Sequence, residues 1–170
     1  VIVVGFLVWQ LSRSLSKAPD AVAIQGVQPF SNLKRGHVDG KLNYDQNPPV
    51  GGTHSPVWQN CGMYDTQIPL ENAVHSLEHG AVWVAYQPNL VEAEVKKLRD
   101  LMRGKAYTLL APYQYNVLDK PVVAVAWGLR LELKSVDDPQ LMWFVTKYAN
   151  GPQTPEPGAP CTGGTGVPNG

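Results

Sequence analysis

Between residues 69 and 151, stretches with helical apolar spacing alternate with short β-branched and aromatic runs. Leu70, Ala73, Val74 and Leu77 follow the i, i+3, i+4, i+7 spacing of one helical face. Pro69 fits the first helical position. Glu71 lies in the first turn, where the helix dipole favours a carboxylate, and Gly80 suits the left-handed residue after the last turn. The spacing predicts a helix over 69–79, with Glu71, His75, Glu78 and His79 on the opposite side, either a metal or catalytic face or a solvated one.

The next run, "AVWVAY" at 81–86, is β-branched and aromatic and predicts a strand. "NLVEAEVKKLRDLMRG" predicts a helix capped by Asn89 and ended by Gly104. "AYTLLAPY" predicts a strand ended by Pro112, and 121–133 a long strand or a pair with a bulge near Gly128. "DPQLMWFVTKYANG" predicts a helix with Asp138 as cap, Pro139 first and Gly151 at the end. The order α-β-α-β-β-α implies an α+β fold, a small, mainly antiparallel sheet covered by helices.

Outside this core the pattern weakens. Val1–Leu11 is apolar apart from Gln10. It is shorter than the roughly 20 residues that span a bilayer, so it reads as the end of a transmembrane helix, with a buried strand as the alternative. Residues 1–17 are therefore assigned to the anchor, 18–35 to a linker, 36–150 to the globular domain and 151–170 to a Pro/Gly-rich tail. "HVDGKLNY" at 37–44 suggests a short strand. The tail has too little apolar surface to fold alone and is expected to be disordered or to track the surface.

Composition removes one class of partner. The chain carries 14 Lys+Arg against 14 Asp+Glu, with no basic run, so nucleic acid is not expected. Sixteen Gly and 15 Pro indicate a loop-rich domain. Arg13 and Lys17, taken alone, favour a cytoplasmic flank for the anchor.

All four histidines, His37, His54, His75 and His79, fall in the first half of the chain near Cys61 and Met63. Imidazole suits copper and zinc, and sulfur donors favour copper(I), so these six are the candidate metal ligands. His75 and His79 are one helical turn apart, and Glu71 or Glu78 can orient an imidazole from behind. "HSLEH" also matches the inverted zinc-protease motif, with Glu78 as general base and Glu92, Glu94 or Glu132 as nominal third ligands. Cys61 and Cys161 are the only cysteines. A bridge between them would pin the tail in an oxidising compartment and would remove Cys61 as a nucleophile. The aromatic residues Trp58, Tyr64, Trp83, Tyr86, Trp127 and Trp143 read as core and rim.

"NPPVGGTH" at 47–54, "CGMY" at 61–64, "AVHSLEHGAVWVAYQP" at 73–88 and, more weakly, "PVVAVAWG" at 121–128 resemble DUF3105, a family of small bacterial proteins of unknown function. The likeness covers roughly residues 36–150. It implies a membrane-anchored, extracytoplasmic domain and supplies no activity and no catalytic residues. The copper-handling proteins encoded near some members tilt the expected ion from zinc toward copper.

Two readings follow. One is a membrane-anchored metal-binding protein, copper ahead of zinc. The other is a non-catalytic accessory subunit of a larger respiratory or photosynthetic membrane complex, in which Glu71 pairs with His75 and His79 steadies the helix end. A zinc hydrolase is a minor third.

Overall fold

The computed structural model describes residues 23–169. The proposed anchor at 1–17 and the first part of the linker lie outside these residues. No helix among the described residues is long and apolar enough to cross a membrane.

Six strands form one mixed sheet: β1 (Gln28–Pro29), β2 (Gly62–Met63), β3 (Val82–Tyr86), β4 (Thr108–Pro112), β5 (Val122–Ala126) and β6 (Leu129–Leu133). Their spatial order is β1-β6-β5-β3-β4-β2. The β3/β5, β5/β6 and β1/β6 pairs are antiparallel, whereas β3/β4 and β2/β4 are parallel. The sheet is therefore mixed rather than mainly antiparallel. The parallel β3/β4 pair needs a crossover, and the helix over 92–102 supplies it. The segment 121–133 is the pair rather than one long strand: a hairpin of β5 and β6 turning at Trp127–Gly128. Residues 37–44 form no strand; only an isolated bridge pairs His37 with His54.

Three helices cover the sheet among the described residues: α1 (Leu70–Glu78), α2 (Glu92–Met102) and α3 (Gln140–Tyr148). Because strand side chains alternate between faces, Trp83, Ala85, Leu109, Val123 and Val125 pack on α1 through Ala73, Val74 and Leu77. Val82, Val84, Leu110, Val122 and Leu131 pack on α2 and α3 through Leu98, Met102, Leu141, Phe144 and Val145. A nine-residue helix such as α1 is too short to stand alone in water. Val74 and Leu77, both wholly buried, hold it by about 1.5–3 kcal/mol each.

The helix ends differ in detail from expectation. Val91, not Asn89, precedes the first turn of α2. Asp138 does accept a hydrogen bond from the Gln140 amide at 2.9 Å, ahead of α3. The left-handed residue after α3 is Asn150, with φ 49°, rather than Gly151. Gly80 takes φ 104° after α1 as the pattern requires, and a Cβ there would come within 2.9 Å of the Asn150 Cα.

The tail is not a loose appendage. Cys61 and Cys161 form a disulfide with Cα atoms 5.3 Å apart, and the Cys61 amide donates to the Cys161 carbonyl at 2.7 Å. Closing a loop of 100 residues stabilises by up to about 5 kcal/mol in the chain-entropy account. The segment 150–161 lies against the C-terminal end of α1, with Asn150 donating to the Gly80 carbonyl and the Glu156 amide to the Glu78 carbonyl.

Candidate metal centre

The polar face of α1 is buried rather than solvated. His75 is 5% exposed, Glu78 1% and His79 4%. Three segments close over it: the loop carrying His37 and His54, the loop at 55–59, and the tail. Trp58 lies over the two α1 imidazoles, its ring centroid 5.0 Å from that of His79 and 5.7 Å from that of His75.

The "PVGGTH" turn delivers His54. Gly52 adopts φ 116°, a conformation that side chains disfavour, and so aims its carbonyl at the His54 ring. The Val38 amide donates to the His54 carbonyl and the His54 amide to the Gly36 carbonyl, which brings His37 alongside. The His37 side chain is 45% exposed and forms the open side of the cluster.

One donor atom from each of His37, His54, His75 and Glu78 lies within 4.8 Å of all the others. Glu78 Oε2 is 2.9 Å from His54 Nε2 and 3.5 Å from His37 Nε2. His75 Nε2 meets His79 Nε2 at 2.9 Å. Arg35 Nε donates to Glu78 Oε1 at 3.0 Å.

The hydrogen-bond accounting of the buried imidazoles is unusual. Each Nδ1 donates to a main-chain carbonyl at 2.7 Å: His54 to Gly52, His75 to Ser55 and His79 to Pro160. A carbonyl only accepts, so each Nδ1 carries the hydrogen. A neutral His75 or His79 then keeps its lone pair on Nε2, whereas the Nε2 of His54, 2.9 Å from a carboxylate that only accepts, is placed to donate to Glu78. All three Nε2 atoms point into the cluster. This is the outward Nδ1 bond, inward Nε2 arrangement of metal-ligating histidines.

Charge completes the picture. Burial lowers the pKa of His75, outweighing the opposing pull of its bond to Ser55, and the imidazoles of His79, His54 and His37 lower it further, to about 4. Its ring is therefore neutral at pH 7. Burial pushes Glu78 up, but the Arg35 hydrogen bond and the His54 ring outweigh it and hold the carboxyl below its usual range. An ionised carboxylate only accepts. Glu78 thus offers a full negative charge to a group of imidazole nitrogens.

The other candidates are placed elsewhere. Cys61 is in the disulfide, and Met63 belongs to the apolar cluster with α2 and α3 across the sheet. No sulfur therefore joins the imidazoles. Glu71 accepts from the Leu42 amide at 2.8 Å and makes no hydrogen bond to His75. None of Glu92, Glu94 or Glu132 belongs to the four-residue group. Tyr64, Trp83, Tyr86 and Trp127 are core residues, as expected.

Sequence reasoning missed Arg35 and Glu156. Glu156 Oε2 is 3.7 Å from His79 Nε2 and its Oε1 is 3.7 Å from Arg35 Nη2. Arg35 lies in what reads as linker and Glu156 in a Pro/Gly-rich tail, so neither falls on a periodic element. The only signal was that Glu156 shares the tail with Cys161.

The fold and site together define an α+β domain stapled by a disulfide, with a buried histidine–carboxylate cluster under one helix. A family model described as "Protein of unknown function (DUF3105)" matches residues 37–163, and the chain belongs to that family. No match was found among curated proteins or among solved structures.

Proposed function

We propose that this domain holds a first-row transition-metal ion on the extracytoplasmic side of a membrane, with the group His37, His54, His75 and Glu78 and the adjoining His79 as its donors. The observation that carries the reading is the pair of lone pairs on His75 and His79, facing each other 2.9 Å apart with both Nδ1 hydrogens already committed. Such a contact is repulsive unless a cation or an extra proton lies in it.

The donor set is nitrogen and oxygen. This removes the sulfur argument for copper(I) and leaves ions that imidazole suits, copper(II), zinc and nickel. Copper(II) heads the affinity order for such ligands, so copper stands first and zinc second. The disulfide supports an oxidising compartment. The apolar run at 1–11 supports attachment to a membrane.

The tail bears on the accessory-subunit reading. A tail ordered without a bridge would have argued for a partner surface, but here the bridge and the contacts to α1 order it within the chain. A hydrolase gains no support either. Glu78 is tied by Arg35 and His54 and faces the imidazoles as a donor rather than as a free base.

The test is direct. The full chain, stripped of metal, is incubated separately with copper(II) and zinc, desalted and analysed for metal. Retained ion in the wild type, lost in His54→Ala and His75→Ala, supports the reading. A folded chain that retains neither ion overturns it.

A further inference from the structure

Two carboxylates and four imidazoles converge on this site, and their distances divide them. Ligands at about 2.1 Å from one ion lie about 3.4 Å apart in a tetrahedral site and at most about 4.2 Å apart in any site. The group His37, His54, His75 and Glu78 reaches 4.8 Å, more than one ion spans without side-chain movement. Smaller sets fit better. Glu78 Oε2 is 2.9 Å from His54 Nε2 and 3.5 Å from His37 Nε2. His79 Nε2 is 2.9 Å from His75 Nε2 and 3.7 Å from Glu156 Oε2.

Arg35 makes the two sets alike. Its Nε binds Oε1 of Glu78 and its Nη2 lies 3.7 Å from Oε1 of Glu156, while Oε2 of each carboxylate faces histidine. His79 is 4% exposed, its Nδ1 is spent on Pro160, and its Nε2 meets only another Nε2 and the Glu156 carboxylate.

We infer that the site has two adjacent cation positions, each built from two imidazoles and one carboxylate: His37, His54 and Glu78 for the first, and His75, His79 and Glu156 for the second. The inference rests on the metal-binding reading and redistributes its ligands, moving His75 to the second position. Two imidazoles and a carboxylate leave further coordination positions open, as divalent first-row ions accept. Two carboxylates against one guanidinium leave a single net negative charge among these groups. The first divalent ion more than neutralises it, so the second binds more weakly.

The experiment titrates copper(II) into the metal-free full chain and reads bound copper and its electron paramagnetic resonance signal together. The expected result is two ions per chain, the second held at least about tenfold more weakly, with signal below the bound copper because neighbouring spins couple. Glu156→Gln, which changes the charge of a half-exposed side chain and nearly keeps its shape, is expected to bind one ion and restore full signal. One ion at saturation in the wild type, kept in Glu156→Gln and lost in His54→Ala, overturns the second position and leaves the single-ion reading standing. Two ions undiminished by Glu156→Gln place the second ion elsewhere and also overturn it. No retained ion overturns both readings.

Discussion

His75 and His79, one turn apart on α1, face each other through Nε2 across 2.9 Å. Both are buried, and both give their Nδ1 hydrogen to a main-chain carbonyl. A bound ion replaces this opposition of lone pairs with two attractive contacts. Ligand that binds only the folded state stabilises by about 4 kcal/mol at a thousand times its dissociation constant. For a domain of this size that is a melting-temperature rise of roughly 10 °C. Thermal melts with and without copper(II) or zinc will read it. An equal rise in His75→Ala would show the ion sitting elsewhere.

The metal-free chain is expected to weaken in acid. The folded-state pKa of His75 is about 4, against 6.5 for a free imidazole. Between these values the unfolded chain takes up a proton that the folded chain refuses, so stability falls as pH falls. The contribution is intact above pH 6.5 and declines toward pH 4. Urea midpoints measured across this window should drop less in His75→Gln than in the wild type. Parallel curves for the two would remove His75 as the cause.

Removing the disulfide with Cys61→Ser/Cys161→Ser is expected to cost about 2–5 kcal/mol. Because Pro160, the acceptor for His79, adjoins Cys161, the loss should extend to metal affinity. Denaturation and metal titration of the same double variant separate the two effects. Unchanged affinity in the destabilised protein would show that the tail does not need its staple to hold His79.

Gly52→Ala tests the carbonyl that orients the His54 ring. A Cβ there meets nothing closer than 3.7 Å, so the penalty is the φ of 116° rather than a clash. A substitution at such a backbone costs more than about 1 kcal/mol. If the chain turns to relieve it, the carbonyl leaves the His54 ring, and metal affinity falls by about 10–100-fold. Calorimetric titration of the variant measures this. Wild-type affinity would mean that the ring keeps its aim without that carbonyl.

Much of the fold is legible in local pattern. The continuous β-branched and aromatic run at 81–86 records a strand buried on both faces, the 3.6-residue period of α1 records its packing on the sheet, and Gly80 marks where the helix must stop. The sheet's mixed pairing is not legible. It rests on two parallel pairs, β3/β4 across α2 and β2/β4, and β2 is two residues long, so nothing in "GM" indicates a direction.

The site divides in the same way. Histidines at 75 and 79 share a helix face by spacing alone, and His54 sits beside a Gly-Gly pair whose purpose appears only in three dimensions. Polar spacing on α1 leaves solvent as an alternative, because a periodic pattern shows that one face is apolar and says nothing of what covers the other. Here loops and tail cover it. The orienting groups are the carbonyls of Gly52, Ser55 and Pro160, and a carbonyl has no letter in a sequence.

The tail has a consequence for the order of events in the life of the chain. Synthesis runs from the first residue to the last, so the imidazoles of α1 exist some 80 residues before the Pro160 carbonyl that orients the later of them. Cys61 waits 100 residues for its partner. The centre therefore cannot be completed until the far end of the chain is made: the His79 ring waits for the Pro160 carbonyl, and Cys61 for Cys161. A chain cut short before residue 156 would lack Glu156, Pro160 and Cys161, and with them the carboxylate beside His79, the acceptor of its Nδ1 hydrogen and the disulfide.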